Sequence, residues 1–119
     1  MSIEQTQRII DRYFELMGQD ADFTACCTDD VTWLVAGTGE VVRGRQRVRE
    51  YINAVHATMA DAQTRHLVVG EESVYLEGDC AGPASSDGAR VRYCIAYDVT
   101  QGQITAMRCY GPLAAPTAS

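Results

Sequence analysis

The chain has few basic residues for its number of acidic ones. Lysine and arginine together number 10 against 16 aspartates and glutamates, which gives a net charge of −6 at neutral pH. Nucleic-acid binding needs positive charge clustered against phosphates, so this balance argues against it. Four arginines do fall close together, at Arg43, Arg45, Arg47 and Arg49. A spacing of two spreads them around a helix instead of forming one stripe, which indicates a solvated helix start.

Paired metal-binding cysteines and long apolar runs are also missing. The five cysteines include no C-x-x-C motif, and Cys26 and Cys27 are adjacent. We therefore expect free thiols in a reducing cytosol, with no disulfide framework and no metal site; no cofactor is expected either. No basic segment followed by an apolar core opens the sequence, and no apolar run approaches the roughly 20 residues of a membrane span. These features predict a cytoplasmic protein that does not bind membranes.

The 119 residues contain the pattern of one domain, predicted over 1–111 with a disordered tail over 112–119. A capping box at Ser2 and Gln5 begins a helix that ends at Gly18. Asp20 is placed to cap a short second helix over 21–27, and a third helix is predicted over 45–59. Strands are predicted over 31–36, 40–43, 64–70, 74–81, 89–99 and 103–111. The segment "GPASSDG" over 82–88 and the turn at Gly102 are suited to hairpins.

This order of elements indicates an α+β fold. A strongly curved mixed sheet that wraps around three helices buries both layers and encloses a central cavity, as in a cone. We therefore expect a pocket between the helices and the inner face of the sheet.

Three stretches resemble the nuclear transport factor 2-like superfamily, which has this cystatin-like cone. They are "RYFELMGQDADFTACCTDDVTW", "VVRGRQRVREYI" and "YDVTQGQITAMRCY", and together the likeness covers about residues 3–111. Members include SnoaL-like polyketide cyclases, ketosteroid isomerases, scytalone dehydratase and limonene epoxide hydrolase. The resemblance implies a pocket for an apolar small molecule and a homodimer that forms through the sheet.

The resemblance also implies roles for particular positions. Tyr13 lies in "RYFEL", where ketosteroid isomerases carry a tyrosine that donates to the substrate oxygen, although a core aromatic is an equal interpretation. The acids of the isomerases and cyclases would fall near Val35, Cys94 and Cys109. All three positions are neutral here, which argues against a ketosteroid isomerase mechanism.

His66, in "AQTRHLVVG", is the remaining acid–base candidate. The stretch resembles the Thr-x-His segment of scytalone dehydratase, where the histidine acts in proton transfer. A side chain with a pKa of about 6.5 suits that role. The competing interpretation is a histidine at a strand entry that only hydrogen-bonds to a neighbouring backbone. The second histidine, His56, is expected at the edge of the third helix.

Two registers are compatible with the alternation of strands 74–81 and 89–99. The register that the resemblance favours turns one polar set inward: Tyr75, Glu77, Asp79, Arg92 and Cys94. Asp79 would then pair with Arg92 and orient the substrate or His66. The register that hydrophobicity favours turns another set inward: Val91, Tyr93, Ile95 and Tyr97. Under the same alternation, Trp33, Met107 and Cys109 are expected to line the cavity, and Val35 is expected among the substrate-binding residues.

Three functional hypotheses follow from these patterns. The first is a small cofactor-independent lyase, isomerase or cyclase for a polyketide-, steroid- or terpenoid-like molecule, with His66, Tyr13 and Asp79 as catalytic residues. The second is a non-catalytic ligand-binding or dimerisation module, which the neutral residues at the expected acid positions favour. The third is an epoxide hydrolase, which requires Glu77 and Asp79 to face inward around one water.

Overall fold

The computed structural model describes residues 1–82 and 90–115, and its first element is the helix that the capping box predicts. Helix α1 spans Ile3–Gly18. The Gln5 backbone N–H donates to the Ser2 hydroxyl oxygen at 3.1 Å, and the Ser2 N–H donates to the Gln5 side-chain oxygen at 2.8 Å. This reciprocal cap satisfies donors that a helix start leaves free. The buried residues of the helix are Thr6, Ile10 and Tyr13.

The second helix is a single turn that begins later than the sequence predicts. A 3-10 helix covers Phe23–Cys26, and its cap is Asp22, whose carboxylate accepts from the Thr24 N–H at 3.0 Å. Asp20, the expected cap, instead has a left-handed backbone with φ of 57°. Asp20 therefore belongs to the turn that ends α1.

Helix α2 spans Arg45–His56 and ends three residues before the predicted limit. Beyond it, the Thr58 hydroxyl donates to the Val55 carbonyl at 2.7 Å and closes the last turn. The next strand then begins at Ala60. The buried face of α2 is formed by Val48, Ile52 and Val55.

Six strands form one curved sheet in the order β2-β1-β6-β5-β4-β3. Their bounds are β1 Cys27–Val35, β2 Glu40–Arg43, β3 Ala60–Val69, β4 Ser73–Ala81, β5 Val91–Thr100 and β6 Gln103–Tyr110. Strand β1 pairs in parallel with β6, and the other neighbouring pairs are antiparallel. The predicted α+β fold with a curved mixed sheet is therefore confirmed.

Strand β3 contains a bulge that the sequence pattern did not reveal. Thr64 pairs with Gly78, but His66, two residues later, pairs with Glu77, only one residue back along β4. Arg65 is thus an extra residue in the strand. A bulge of this kind interrupts the strict in-and-out alternation of side chains.

The ends of the later strands agree with part of the prediction. Gln101 and Gly102 have φ of 50° and 84°, as a two-residue turn between β5 and β6 requires. The expected "GPASSDG" hairpin and the start of the strand at residue 89 lie outside the described residues, as do residues 116–119.

Leu113, expected in a disordered tail, is buried, and the Ala115 N–H donates to the Tyr51 hydroxyl at 3.1 Å. These contacts fasten residues 113 and 115 to the rest of the domain.

One hydrophobic core joins the helices to the inner face of the sheet. Tyr13 is central to it, with edge-on ring contacts to Phe14, Phe23 and Tyr97 at centroid distances of 5.5, 5.4 and 5.7 Å. Edge-on aromatic pairs at this separation are favourable. In the part of the chain that the structure describes, no helix has the length and apolarity needed to cross a membrane.

Candidate functional site

A cavity of about 360 Å³ lies between the helices and the inner face of the sheet. Small-molecule sites typically range from about 300 to 1,000 Å³, so this one suits a small ligand. Aromatic rings form much of its wall: Tyr13, Phe14, Trp33, Tyr93 and Tyr97. Among the described residues, no carboxylate or guanidinium lines it. The cavity therefore suits a mostly apolar molecule.

Strands β4 and β5 adopt the register that hydrophobicity favours. The inward residues that line the cavity are Leu76, Tyr93, Ile95 and Tyr97. The polar set faces a groove on the outer side of the sheet, where the lining includes Glu77, Asp79, Arg92 and Cys94. Tyr75, also expected inward, is 46% exposed. The reason is energetic, since burying several charges in an apolar cavity costs more than their mutual attraction returns.

His66 lies on the outer face too, in the same groove as Glu77. Thr64 lines the inner cavity, and strict alternation from Thr64 would turn His66 inward as well. The extra residue Arg65 breaks that alternation, so Arg65 and His66 share the outer side. The structure therefore does not bring His66 and Tyr13 together.

Asp79 pairs with arginines other than the one expected. Its carboxylate accepts from Arg65 at 2.8 and 3.0 Å and from Arg90 at 2.5 Å. Hydrogen bonds from Arg65 first, and then from Arg90, hold the pKa of Asp79 far below its usual range. A carboxylate held in this way is a poor proton acceptor. Asp79 is therefore part of an ion-pair cluster on the outer side, and the cavity does not contain it.

Tyr13 does face the cavity, and its hydroxyl has only a weak acceptor. The hydroxyl donates to the Met107 sulfur at 3.5 Å, deep in the core. A thioether is a weak acceptor. Burial raises the pKa of Tyr13 well above its usual range, so the phenol keeps its proton. A ligand oxygen in the cavity would be a better acceptor for this donor.

His56 also lines the cavity, at the end of α2. His56 is an exposed residue overall, but the partial desolvation of its ring against the cavity lowers its pKa below the usual range, which favours the neutral ring at pH 7. A neutral imidazole accepts a proton readily. The described lining of the cavity thus contains one imidazole, and it is on a helix.

Trp33, as expected, lines the cavity. The indole is 4% exposed, and its N–H has no acceptor among the described residues. Val35, Met107 and Cys109 are buried in the core but are not among the residues that line the cavity. Within residues 1–82 and 90–115, no group of three or more His, Cys, Asp or Glu side chains is arranged to hold a metal ion.

Comparison with family models gives a match to the SnoaL-like domain over residues 10–107. The chain belongs to the SnoaL-like domain family. A search of curated proteins found no match.

Solved structures share the fold of this SnoaL-like domain. A steroid delta-isomerase from Pseudomonas aeruginosa is similar with a TM-score of 0.77 and 12% identity, over 91% of this chain and 80% of that chain. An NTF2-like protein from Burkholderia xenovorans LB400 has a TM-score of 0.73 and 20% identity, over 94% and 92% of the two chains. A de novo designed protein with a curved β-sheet has a TM-score of 0.76 and 16% identity, over 94% and 88%. At these identities, the likeness establishes the fold alone.

Sequence reasoning missed His56 as a residue of the cavity in this SnoaL-like domain. One signal was present, because His56 follows Ile52 by four positions and so lies on the same helix face. The apolar stripe through Val48, Ile52 and Val55 is the stronger pattern on this helix, so His56 was assigned to its edge. His66, which the strand pattern directed inward, lies in the outer groove. His56, which was expected at a helix edge, borders the cavity.

Proposed function

We propose that this SnoaL-like domain binds an apolar, oxygen-bearing small molecule in its cavity and moves a proton on it, as a cofactor-independent isomerase, lyase or cyclase. The observation that carries this proposal is the joint lining of one apolar cavity by His56 and Tyr13. Ligands in this class are polyketide-, steroid- or terpenoid-like.

His56 is the proposed base, and Tyr13 is the proposed donor to the ligand oxygen. The lowered pKa of His56 favours the neutral ring, which has a nitrogen free to accept a proton. The protonated Tyr13 phenol then stabilises negative charge that develops on the ligand oxygen. Proton transfer by a positioned side chain contributes about 10²- to 10⁴-fold to a rate.

Non-catalytic binding is the second candidate. It is favoured by the absence of carboxylates from the described cavity lining, since relatives of this type use acids in proton transfer according to the resemblance. The epoxide hydrolase hypothesis requires Glu77 and Asp79 to bind a water inside the cavity. Both residues line the outer groove, so this requirement is not met.

The test begins with ligand binding. The chain has one tryptophan, Trp33, and it lines the cavity, so its fluorescence reports occupancy. A panel of neutral ring ketones, including a Δ5-3-ketosteroid suggested by the steroid delta-isomerase likeness, is titrated first and then assayed for turnover. Compounds that bind should change the Trp33 emission with one-to-one stoichiometry.

The two histidines then give a matched pair of variants. His56→Gln should reduce turnover by about 10²- to 10⁴-fold. His66→Gln tests the other assignment, in which His66 on the outer face is the acid–base residue. Loss of turnover in His66→Gln with full activity in His56→Gln would refute the proposed base. Binding without turnover of any compound would favour the second candidate, and an absence of binding would refute both.

We also propose a homodimer through the outer face of the sheet in a reducing, cytoplasmic setting. Exposed Val68, Tyr75 and Tyr110 lie on that face, and all five cysteines are free thiols. Sedimentation should give a dimer mass that Tyr75→Glu lowers to that of a monomer. A monomeric wild type would refute this arrangement.

A further inference from the structure

The apolar cavity has a polar neighbour at its helical end. Met17 and His56 line the cavity and also line a second cavity of about 450 Å³, which we call the vestibule. The vestibule lies between the end of α1, the 3-10 helix and α2, and its lining includes Asp20, Phe23, Arg49 and Asn53. Because two wall residues are shared, the cavity and the vestibule adjoin at Met17 and His56.

The character of the lining changes across this junction. The described lining of the cavity carries no charged carboxylate or guanidinium, whereas the vestibule has one guanidinium, one amide and one carboxylate from Arg49, Asn53 and Asp20. A molecule that occupies both spaces therefore meets an apolar environment at one end and a hydrogen-bonding one at the other. This arrangement matches an amphipathic ligand.

Arg49 is the cationic side chain in the described lining of the vestibule, which also includes the Asp20 carboxylate. Its Nε atom lies 3.8 Å from the Asp22 carboxylate, beyond hydrogen-bond distance, and its side chain is 40% exposed. The Asp22 carboxylate is already engaged by the Thr24 N–H at 3.0 Å. Asp20 is exposed on its turn, where solvent screens a charge more than at a partly buried arginine. Arg49 thus retains donors for another acceptor.

We propose that the ligand of this site is amphipathic, with an apolar ring body in the cavity and an anionic group, such as a carboxylate or sulfonate, held by Arg49 and Asn53 in the vestibule. A guanidinium presents paired N–H donors that match such a group, and the Asn53 amide adds another donor. The proposal extends the proposed function, because both concern one ligand in adjoining spaces. His56 and Met17 then flank the bond region between the ring body and the anionic group.

Two fluorescent probes with the same skeleton separate the two halves of the site. N-phenyl-1-naphthylamine is neutral, and 8-anilinonaphthalene-1-sulfonate adds a sulfonate to it. Both are titrated into the wild type, into Arg49→Gln, and into Arg47→Gln, which removes an exposed arginine of α2 that lines neither space. Arg49→Lys serves as a fourth protein that keeps the charge and controls for loss of the Asp22 contact. Circular dichroism melts confirm that each variant is folded.

The sulfonated probe should bind Arg49→Gln about tenfold more weakly than the wild type, as expected for a lost charge-assisted hydrogen bond. Its affinity should be unchanged in Arg47→Gln and largely restored in Arg49→Lys, and the neutral probe should bind all four proteins equally. The two probes should also displace each other at one-to-one stoichiometry. Equal weakening by Arg47→Gln, or no weakening by Arg49→Gln, would overturn the vestibule assignment while leaving the cavity intact. Failure of the neutral probe to bind would instead refute the proposed function itself.

Discussion

Gly78 offers a sharp test of how the cavity wall is built. It lies on β4 opposite Tyr93 of β5, whose ring crosses it on the inner face. A Cβ atom at this position would lie 2.8 Å from the Gln63 carbonyl oxygen and 2.9 Å from both Cε2 and the hydroxyl oxygen of Tyr93. These separations are too short for ordinary packing, so Gly78→Ala must displace either the ring or strand β3.

The size of the effect follows from two opposing terms. Overpacking of this kind typically costs about 1–3 kcal/mol, and removing the extra chain entropy of a glycine returns about 0.5–1 kcal/mol. We expect Gly78→Ala to lower the free energy of unfolding by about 1–2 kcal/mol, which corresponds to roughly 4–8 °C in melting temperature for a domain of this size. Urea and thermal unfolding both measure it. Because the displaced ring lines the cavity, ligand affinity should fall as well.

Gly18→Ala is the matched control, since a Cβ there meets nothing within 4 Å. As a residue of α1, Gly18 should tolerate alanine with unchanged or slightly higher stability. In the double variant Gly78→Ala/Tyr93→Leu, the cost should be less than the sum of the single costs, because the ring that clashes is gone. A Gly78→Ala protein as stable as the wild type would refute the packing described for this wall.

Three further predictions concern charge, hydrogen bonding and thiols. Because the pKa of Asp79 is lower in the folded state than the value of about 3.9 in the unfolded chain, its ionised form stabilises the fold at pH values above about 3.9. This contribution is lost as the pH falls. Asp79→Asn should therefore have a lower free energy of unfolding than the wild type at pH 7 and should lose less of it on acidification. Thr6→Val leaves the Glu71 carbonyl without its buried donor and should cost about 1–3 kcal/mol in urea unfolding. Burial raises the pKa of Cys27 to about 12 and of Cys109 to about 11, so native labelling of both at pH 8 should be more than about 100-fold slower than that of an ordinary thiol, until urea exposes them. The structure would be contradicted if Asp79→Asn and the wild type lost equal stability in acid. It would also be contradicted if Thr6→Val left the free energy of unfolding unchanged, or if Cys27 and Cys109 were labelled quickly in the native protein.

The sequence was sufficient for the architecture because local and global signals agreed. The capping box at Ser2, the turn at Gly102 and the change from helical to alternating periodicity each act within a few residues. The limits of some elements differed from the prediction. The cap of the 3-10 helix moved from Asp20 to Asp22, and β3 began earlier than residue 64, because pairing with β4 extends a strand beyond its own β-propensity.

The site was harder to predict because its residues depend on register and on one bulge. Strand alternation predicted Trp33 at an inward position and the resemblance did so for Tyr13, and both line the cavity. The face of β5 was left open because hydrophobicity favoured one register and the resemblance favoured the other, and no local signal marks Arg65 as an extra residue in β3. A shift of one residue moves a side chain to the opposite face. The position of His66 was therefore beyond what alternation alone could determine.

The three neutral positions, Val35, Cys94 and Cys109, differ in what an acid would meet there. Val35 and Cys109 are 3% and 1% exposed in the core, where an acid would lack a counter-charge and be costly to ionise. Cys94 faces the outer groove and pairs with Glu77, so an acid there would meet a like charge and no ligand. The inner face of this sheet is thus apolar and closely packed at these positions, where the resemblance would place carboxylates. Under the proposed function, proton transfer falls to the helices, which bring His56 and Tyr13 to the same cavity.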